Sequence, residues 1–355
     1  MSDPGRKLKF ALVGCGAISK KHVAALGRLD EAEVVGAYDI SPEAARRFQE
    51  QHGITAFTDP AEMITRTDPD VLNVLTPSGL HHRSVMELLP FDRHFVVEKP
   101  LALRLDHIDE ILQECDRRGL NVFVVQQNRF NPPVRKLKDA ITSGRLGKLV
   151  LGAIRMRWRR DQAYYDEVGW RGTWAMDGGV LTNQASHHLD MLLWLMGDVE
   201  SVMAKTATCL ADIEAEDTGV VIIKFRNGAL GVVEATTATR PDNLEGSISV
   251  LGEKGTVEIG GFFMNDLKEW RFTEPVPEDE EVRSRHARVP PEFAWNHTEY
   301  FRDVVRSLQA GTKGLVDGLE GRRSVELINA IYESAETGRE VFLHYTPRSR
   351  LGRGT

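Results

Sequence analysis

Through the first third of the chain, short wholly apolar runs alternate with stretches whose apolar positions recur at helical spacing. Strands are predicted at 7–14, 33–38, 55–57, 71–75, 94–98 and 121–125, and helices at 20–29, 42–52, 60–66 and 106–118. A turn-rich run at 76–82 opens a further helix. Strands without a polar face are buried on both sides, and their alternation with helices of this length implies a doubly wound parallel sheet.

From about residue 146 the pattern changes. Residues 149–159 alternate apolar and polar, as a strand with one wet face does. Further strands are predicted at 201–210, 220–225, 230–236, 247–251 and 256–259. Asn227-Gly228 and Glu253-Lys254-Gly255 are the hairpin turns between some of them. Helices are predicted at 180–195, 294–308 and 319–337, the last two packing back onto the first domain. The Pro-rich, charged run 274–288 reads as a solvated excursion, and the tail 348–355 as frayed. The fold class is therefore α/β, in two domains. Residues 1–125 form the parallel sheet. Residues 126–355 form an α/β domain with a large, mainly antiparallel open sheet.

Composition narrows the function. The 355 residues are 41% hydrophobic and 27% charged, with a net charge of −7. An acidic balance argues against non-specific nucleic-acid binding. Cys15, Cys115 and Cys209 are too few and too scattered for a disulfide framework or a metal motif. The opening stretch 1–9 lacks the apolar core of a signal peptide, and no run reaches transmembrane length. A reducing, cytoplasmic setting without a membrane partner is expected.

Chemistry gathers at the predicted strand ends. Gly14-Cys15-Gly16-Ala17-Ile18-Ser19 follows the first strand and opens a helix, the arrangement that cradles a dinucleotide pyrophosphate. Ser19 stands where the third glycine of that pattern belongs. Asp39 ends the second strand, where a carboxylate binds the adenosine ribose and repels a 2′-phosphate, favouring NAD. The alternative is that it caps the helix that begins at Ser41-Pro42. Lys99, in Val96-Val97-Glu98-Lys99-Pro100, lies at the mouth of the cofactor crevice. A lysine in a partly dry cleft exchanges protons readily, although an exposed pair closing a strand reads the same way. The amide-rich run 126–131 could read a nicotinamide or sugar hydroxyls, or be ordinary loop polarity.

Arg155, Arg157 and Arg159 share one strand face. They suit a diphosphate or carboxylate, a subunit interface or a solvated face. The densest stretch is 170–190. There Asn183, His187 and Asp190 fall on one face of the predicted helix, so that His187 is flanked by an amide and a carboxylate. The alternative is a satisfied core histidine. An asparagine is a weak ligand and no cysteine is near, so no metal is expected.

Taken together, GxGxxS, Thr76-Pro77 with His81, Glu98-Lys99-Pro100, and Gly178-Gly179 leading to His187-x-x-Asp190 resemble the Gfo/Idh/MocA oxidoreductases, in order and over nearly the whole chain. The likeness implies a Rossmann domain beside an α/β domain whose open sheet forms the oligomer interface, as a homodimer or homotetramer. It places Lys99 and His187 at the reacting carbon. Many members carry aspartate where this chain has Asn183. Residues 162–166, 170–174, 183–188, 214–219 and 243–247 are further similar to the WlbA-type dehydrogenases. These oxidise the 3-hydroxyl of UDP-N-acetylglucosaminuronic acid in bacterial surface polysaccharide synthesis.

On that resemblance the cofactor is NAD and the substrate a nucleotide sugar. Cofactor contacts are expected from Gly14, Gly16, Ala17, Ile18, Asp39, Thr76, Pro77, His81, Glu98, Lys99, Gln127, Trp170 and Arg171. Substrate contacts are expected from Lys99, Asn128, Arg160, Tyr164, Tyr165, Asn183, Ser186 and His187. A different sugar or inositol as substrate, or a non-catalytic NAD-binding sensor, are the competing expectations. The sensor reading is opposed by the presence of both Lys99 and His187.

Overall fold

A computed structural model describes residues 6–290 and 292–343. The tail 348–355 and the first five residues of the opening stretch lie outside the described residues. Six strands form an all-parallel sheet: β1 (Leu8–Val13), β2 (Ala32–Tyr38), β3 (Ala56–Phe57), β4 (Val71–Val74), β5 (His94–Val97) and β6 (Val122–Val124). Their order is β3-β2-β1-β4-β5-β6. The order reverses between β1 and β4, which places a ligand crevice beyond their C-terminal ends. Helices α1 (Ser19–Leu26), α2 (Pro42–His52), α3 (Pro60–Thr67), α4 (His81–Leu88) and α5 (Leu105–Arg117) make the crossovers. Two of them start where the sequence dictates. Ser41 and Asp59 each cap a backbone N–H of the first turn, and a proline fills the first helical position.

Helix α6 (Pro132–Thr142) leads to the second sheet, built from β7 (Leu149–Arg157), β8 (Val199–Ala207), β9 (Thr218–Phe225), β10 (Leu230–Thr236), β11 (Glu245–Gly252), β12 (Gly255–Gly260), β13 (Asp266–Phe272) and β14 (Val341–Phe342). The order is β13-β12-β11-β7-β10-β9-β8-β14. Every neighbouring pair is antiparallel except β7 and β10. The short α7 (Gln162–Asp166) follows β7, and α8 (Ser186–Met196) lies between β7 and β8 in sequence. Nine of the eleven residues of α8 are buried, because it packs into the apolar core on the inner face of this sheet. Helices α9 (Glu278–Arg285), α10 (Trp295–Ala310) and α11 (Gly318–Thr337) complete the chain.

The last two helices cover the first domain. Phe301 of α10 meets Phe10 of β1 edge to face at 5.8 Å, and Val124 N–H donates to Val316 O. Tyr300, Phe301, Val304, Val316 and Val325 belong to the same buried cluster as β1, β4, β5 and β6.

Three features differ from the sequence pattern. Helix α6, absent from the elements predicted above, begins at Pro132-Pro133, and the prolines serve as its first helical positions. The charged run 274–288 contains α9, tied down by Asp279, whose carboxylate accepts from Arg145, Trp270 and the Val276 N–H. Residues 180–185 form turns rather than the start of a helix. Val180 N–H donates to Glu216 O and Ala185 N–H to Val180 O, so α8 starts only at Ser186. Asn183 therefore precedes the helix that carries His187 and Asp190.

Candidate active site

The crevice begins at Gly14, whose φ of +113° suits only glycine and where a Cβ would lie 3.0 Å from the Leu75 backbone. Gly16 and Ala17 are exposed, and no heavy atom lies within 4 Å of where a Cβ on Gly16 would stand. Ser19 is buried and its hydroxyl donates to Gly16 O at 2.7 Å, so it fills the third glycine's place without loss of packing. Asp39 Oδ2 accepts the Cys15 N–H at 2.9 Å, and Oδ1 accepts the Ser41 N–H at 2.9 Å. Ser41, not Asp39, caps α2. Asp39 ties the glycine loop to the end of β2.

The loop after β4 is held from below. Buried His81 faces Pro100 O at 2.7 Å with Nδ1 and Thr76 O at 2.8 Å with Nε2. It fastens Thr76 to the turn after Lys99, and its ring is enclosed. Pro77 opens a turn at Ser78–Leu80 that docks through Gly79 N–H on Met176 O.

Lys99 follows β5. Its Nζ donates to Asn183 O at 2.6 Å and lies 3.5 Å from Asn183 Oδ1. Burial pulls the ammonium pKa down, while the charges of Glu98 and Asp177 pull it up. Glu98 Oε1 lies 2.9 Å from His22 Nε2, and Oε2 accepts the Lys99 N–H at 3.2 Å. Burial would raise the Glu98 carboxyl, but the hydrogen bond from His22, with smaller help from the Lys99 ammonium, holds it at about 2.

His187 opens α8 and meets the segment after β6. Its Nδ1 lies 2.8 Å from Gln126 Oε1, a pure acceptor, so Nδ1 carries the proton. Nε2 is left as a lone pair, with the Gln127 amide nitrogen 3.4 Å away. Burial and then the nearby Lys99 charge hold the ring well below the usual histidine range. A neutral imidazole with a bare Nε2 beside a lysine can take a proton from a hydroxyl whose oxygen the lysine holds.

The amide that orients His187 is Gln126, not Asn183, and Asp190 does not flank it. Asp190 accepts from Arg129 Nε and Nη2 at 2.7 Å each and from Ser324 Oγ at 2.6 Å. Asn183 instead donates to Asp177 Oδ1 at 2.6 Å. Asp177 is buried, and burial raises its carboxyl although Lys99 and the Gly172 N–H oppose this. Gln126, Asp177 and His22 were not singled out by the sequence. Asp177 sits inside the dense stretch, but its contacts come from a turn that sequence periodicity does not describe.

Several expected contact residues are taken up elsewhere. Tyr165 is a core side chain whose hydroxyl pairs with Thr237 Oγ1 at 2.9 Å, and buried Ser186 donates to Asn183 O. Asn128 is buried and accepts from Asn296 of α10. Arg171 donates to Tyr164 O and Glu167, with its guanidinium 4.1 Å from the Tyr164 ring centre and 5.8 Å from that of Trp170. Arg160 lies 5.1 Å from the same tyrosine and 5.3 Å from Trp158, so two guanidinium groups pack against Tyr164. Arg155, Arg157 and Arg159 do not converge on an open site: they pair with Glu245, with Glu234 and Glu245, and with Asp161. Among the described residues no group of three or more His, Cys, Asp and Glu is placed to hold a metal ion, and no helix is long and apolar enough to cross a membrane.

Comparison with known proteins gives this arrangement a family. Residues 8–126 match the oxidoreductase family NAD-binding Rossmann fold, and residues 138–343 match its C-terminal alpha/beta domain, both of the Gfo/Idh/MocA type. The chain is similar to the WlbA dehydrogenase of Bordetella pertussis, solved with NADH and UDP-GlcNAcA, at 42% identity and a TM-score of 0.92, covering 97% of this chain and 99% of that one. It is similar to the WlbA dehydrogenase of Chromobacterium violaceum, solved with the same ligands, at 41% identity and a TM-score of 0.90, over 97% and 98%. Among curated proteins, myo-inositol 2-dehydrogenase of Thermotoga maritima is 27% identical over 348 residues, 95% of this chain and 98% of that protein. The glycine loop fits a dinucleotide, and Gln127, whose amide nitrogen lies 3.4 Å from His187 Nε2, has a buried Oε1 without a protein partner among the described residues. The chain belongs to the Gfo/Idh/MocA oxidoreductase family, and its cofactor is NAD.

Proposed function

We propose that the chain oxidises the C3 hydroxyl of UDP-N-acetylglucosaminuronic acid to the 3-keto sugar, a step in bacterial surface polysaccharide synthesis. The observation that carries the dehydrogenase reading is the unprotonated Nε2 of His187, set by Gln126, at the same strand ends as Lys99. The choice of sugar is supported by the likeness to two WlbA dehydrogenases at 41 and 42% identity over nearly whole chains.

NAD, when bound, supplies the acceptor for the hydride that leaves C3. His187 Nε2 accepts the hydroxyl proton, and Gln126 Oε1 holds the resulting imidazolium in place through Nδ1–H. Lys99 exchanges Asn183 O for the substrate oxygen and polarises it electrostatically. Gly14 and Gly16 receive the pyrophosphate and Asp39 the ribose. Arg160 and Tyr164, stacked and partly exposed, stand as the substrate-side contacts.

The protein further acts as a homo-oligomer through its second sheet. Met203, Val220, Ile222 and Leu230 are all about half exposed on the outer face of β8, β9 and β10, a patch that monomers rarely leave to water.

The test is NADH formation with UDP-N-acetylglucosaminuronic acid, UDP-N-acetylglucosamine, myo-inositol and glucose, each with NAD and with NADP. Turnover with NAD and the UDP-uronic acid, and none with the free polyols, is the expected result. Turnover with myo-inositol or glucose and none with the UDP compounds would discard the nucleotide sugar and leave the family chemistry intact.

A further inference from the structure

Below Lys99 lies a row of buried polar groups that the reaction above does not use. Asn73 on β4 is fully buried, and its Nδ2 lies 3.3 Å from His22 Nδ1. That amide nitrogen is a donor, so it fixes His22 Nδ1 as the acceptor and places the ring proton on Nε2. Nε2–H then donates to Glu98 Oε1 at 2.9 Å, and Glu98 is bonded in turn to the backbone N–H of Lys99. His22 has no exposed surface and is packed edge-on against Phe301 at 5.1 Å and His297 at 6.0 Å, both on α10. The ring can neither turn nor reach solvent.

We infer that His22, held by Asn73, is a positioning residue for the reaction: it holds the Glu98 carboxylate in place against the Lys99 backbone N–H, and so sets the negative charge that the neighbouring Lys99 amine meets. This rests on the reading of Lys99 as the group that holds the substrate oxygen. A buried carboxylate without its donor takes up a proton rather than remain charged. The groups that face Glu98 are His22 on α1, His297 and Tyr300 on α10, His81 on α4, His187 on α8 and Lys99 beside it. Of these, His22 alone donates a side-chain hydrogen bond to it among the described residues. Lys99 in turn faces Glu98, Asp177, Asn183, His187 and His81. With Glu98 neutral, burial acts on the lysine with only Asp177 to oppose it.

The experiment reads Lys99 directly. Lysines are reductively methylated with carbon-13 formaldehyde, the Lys99 signal is assigned by its loss in Lys99→Arg, and its titration midpoint is followed in wild type, His22→Leu, His22→Gln and Glu98→Gln. His22→Leu lowers the midpoint by roughly one pH unit or more, the effect of one opposite charge at close range. His22→Gln, which keeps a donor, restores it. Glu98→Gln, which is isosteric and does not depend on His22→Leu folding, lowers it equally, and adding His22→Gln to it changes nothing more. A midpoint unmoved by both His22→Leu and Glu98→Gln overturns the inference, as does a His22→Gln midpoint equal to that of His22→Leu. Lys99 titrates whether or not the UDP-uronic acid is turned over, so failure of the proposed function and failure of this relay are separate results.

Discussion

Arg129 grips Asp190 with two parallel hydrogen bonds of 2.7 Å, and both side chains are 1% exposed. The same guanidinium reaches Glu320 on α11 at 2.8 Å and lies 5.3 Å from the Trp194 ring centre. One buried cation thereby joins the segment after β6 to α8 and α11. Replacing only one member of such a set leaves a buried charge uncompensated. Arg129→Leu is expected to destabilise the fold by about 3–5 kcal/mol in urea unfolding. A loss below about 1 kcal/mol, the range of exposed pairs, would show that water reaches the site.

Lys99 helps to keep His187 neutral. The Lys99 charge is one of the causes that lower the His187 ring, after burial. Activity needs the neutral ring, so kcat/KM falls only when the pH drops well below 6.5. Lys99→Met removes the neighbouring cation, so the acid limb should move to higher pH while kcat drops by roughly 10²–10⁴-fold. An unmoved limb in that variant would separate the two residues.

Gln126 fixes which nitrogen of His187 is bare. Gln126→Leu keeps the bulk and removes the acceptor for Nδ1–H. A drop in kcat of on the order of tenfold, about 1.4 kcal/mol in barrier, is expected with KM for NAD unchanged. A rise in KM alone would assign Gln126 to binding.

Glu216 gives the fold a pH dependence of its own. Its Oε1 accepts from the Leu181 N–H at 2.9 Å and from Tyr332 at 3.0 Å, while buried Oε2 has no partner. Gly179 lies against it so closely that a Cβ there would come within 2.2 Å of Oε2. Burial, reinforced by the Asp177 charge and opposed by the hydrogen bonds to Oε1, raises the carboxyl from 4.5 to about 7. The folded chain then binds this proton more tightly than the unfolded chain. Its contribution is full below pH 4.5 and is lost as pH rises to about 7. The loss is on the order of 3 kcal/mol. Glu216→Gln removes that titration, so its urea midpoint should change less than that of wild type between pH 5 and pH 8. Equal slopes would mean that Glu216 stays ionised.

What the sequence made legible was local. The turn at Gly14-Cys15-Gly16, the acid at Asp39 and the lysine after an apolar run at 94–98 depend on neighbours a few residues away, and pattern alone places them. The strands β1, β2, β4, β5 and β6 followed from apolar runs for the same reason. Gln126 reaches His187 across 61 positions, His22 reaches Glu98 across 76, and Glu216 reaches Tyr332 across 116. No period records such distances. Strand β13, with Lys268, Glu269 and Arg271, is too charged to read as a strand. It is one because it pairs with β12 and buries only Trp270 deeply. Tyr165 and Ser186, expected from the resemblance to contact substrate, have hydroxyl partners within the chain at Thr237 and Asn183, which no local pattern records.

Helices α10 and α11 arrive last in the chain yet wall in the first sheet, with Phe301 on Phe10 and Val316 on Val124. A fragment cut after residue 125 would present the apolar surface beneath that wall to water. The nucleotide half is therefore no portable cassette. Any chimera that exchanges it between relatives must carry residues 295–325 along, and ribosomal synthesis must be nearly complete before the first-made strands are covered.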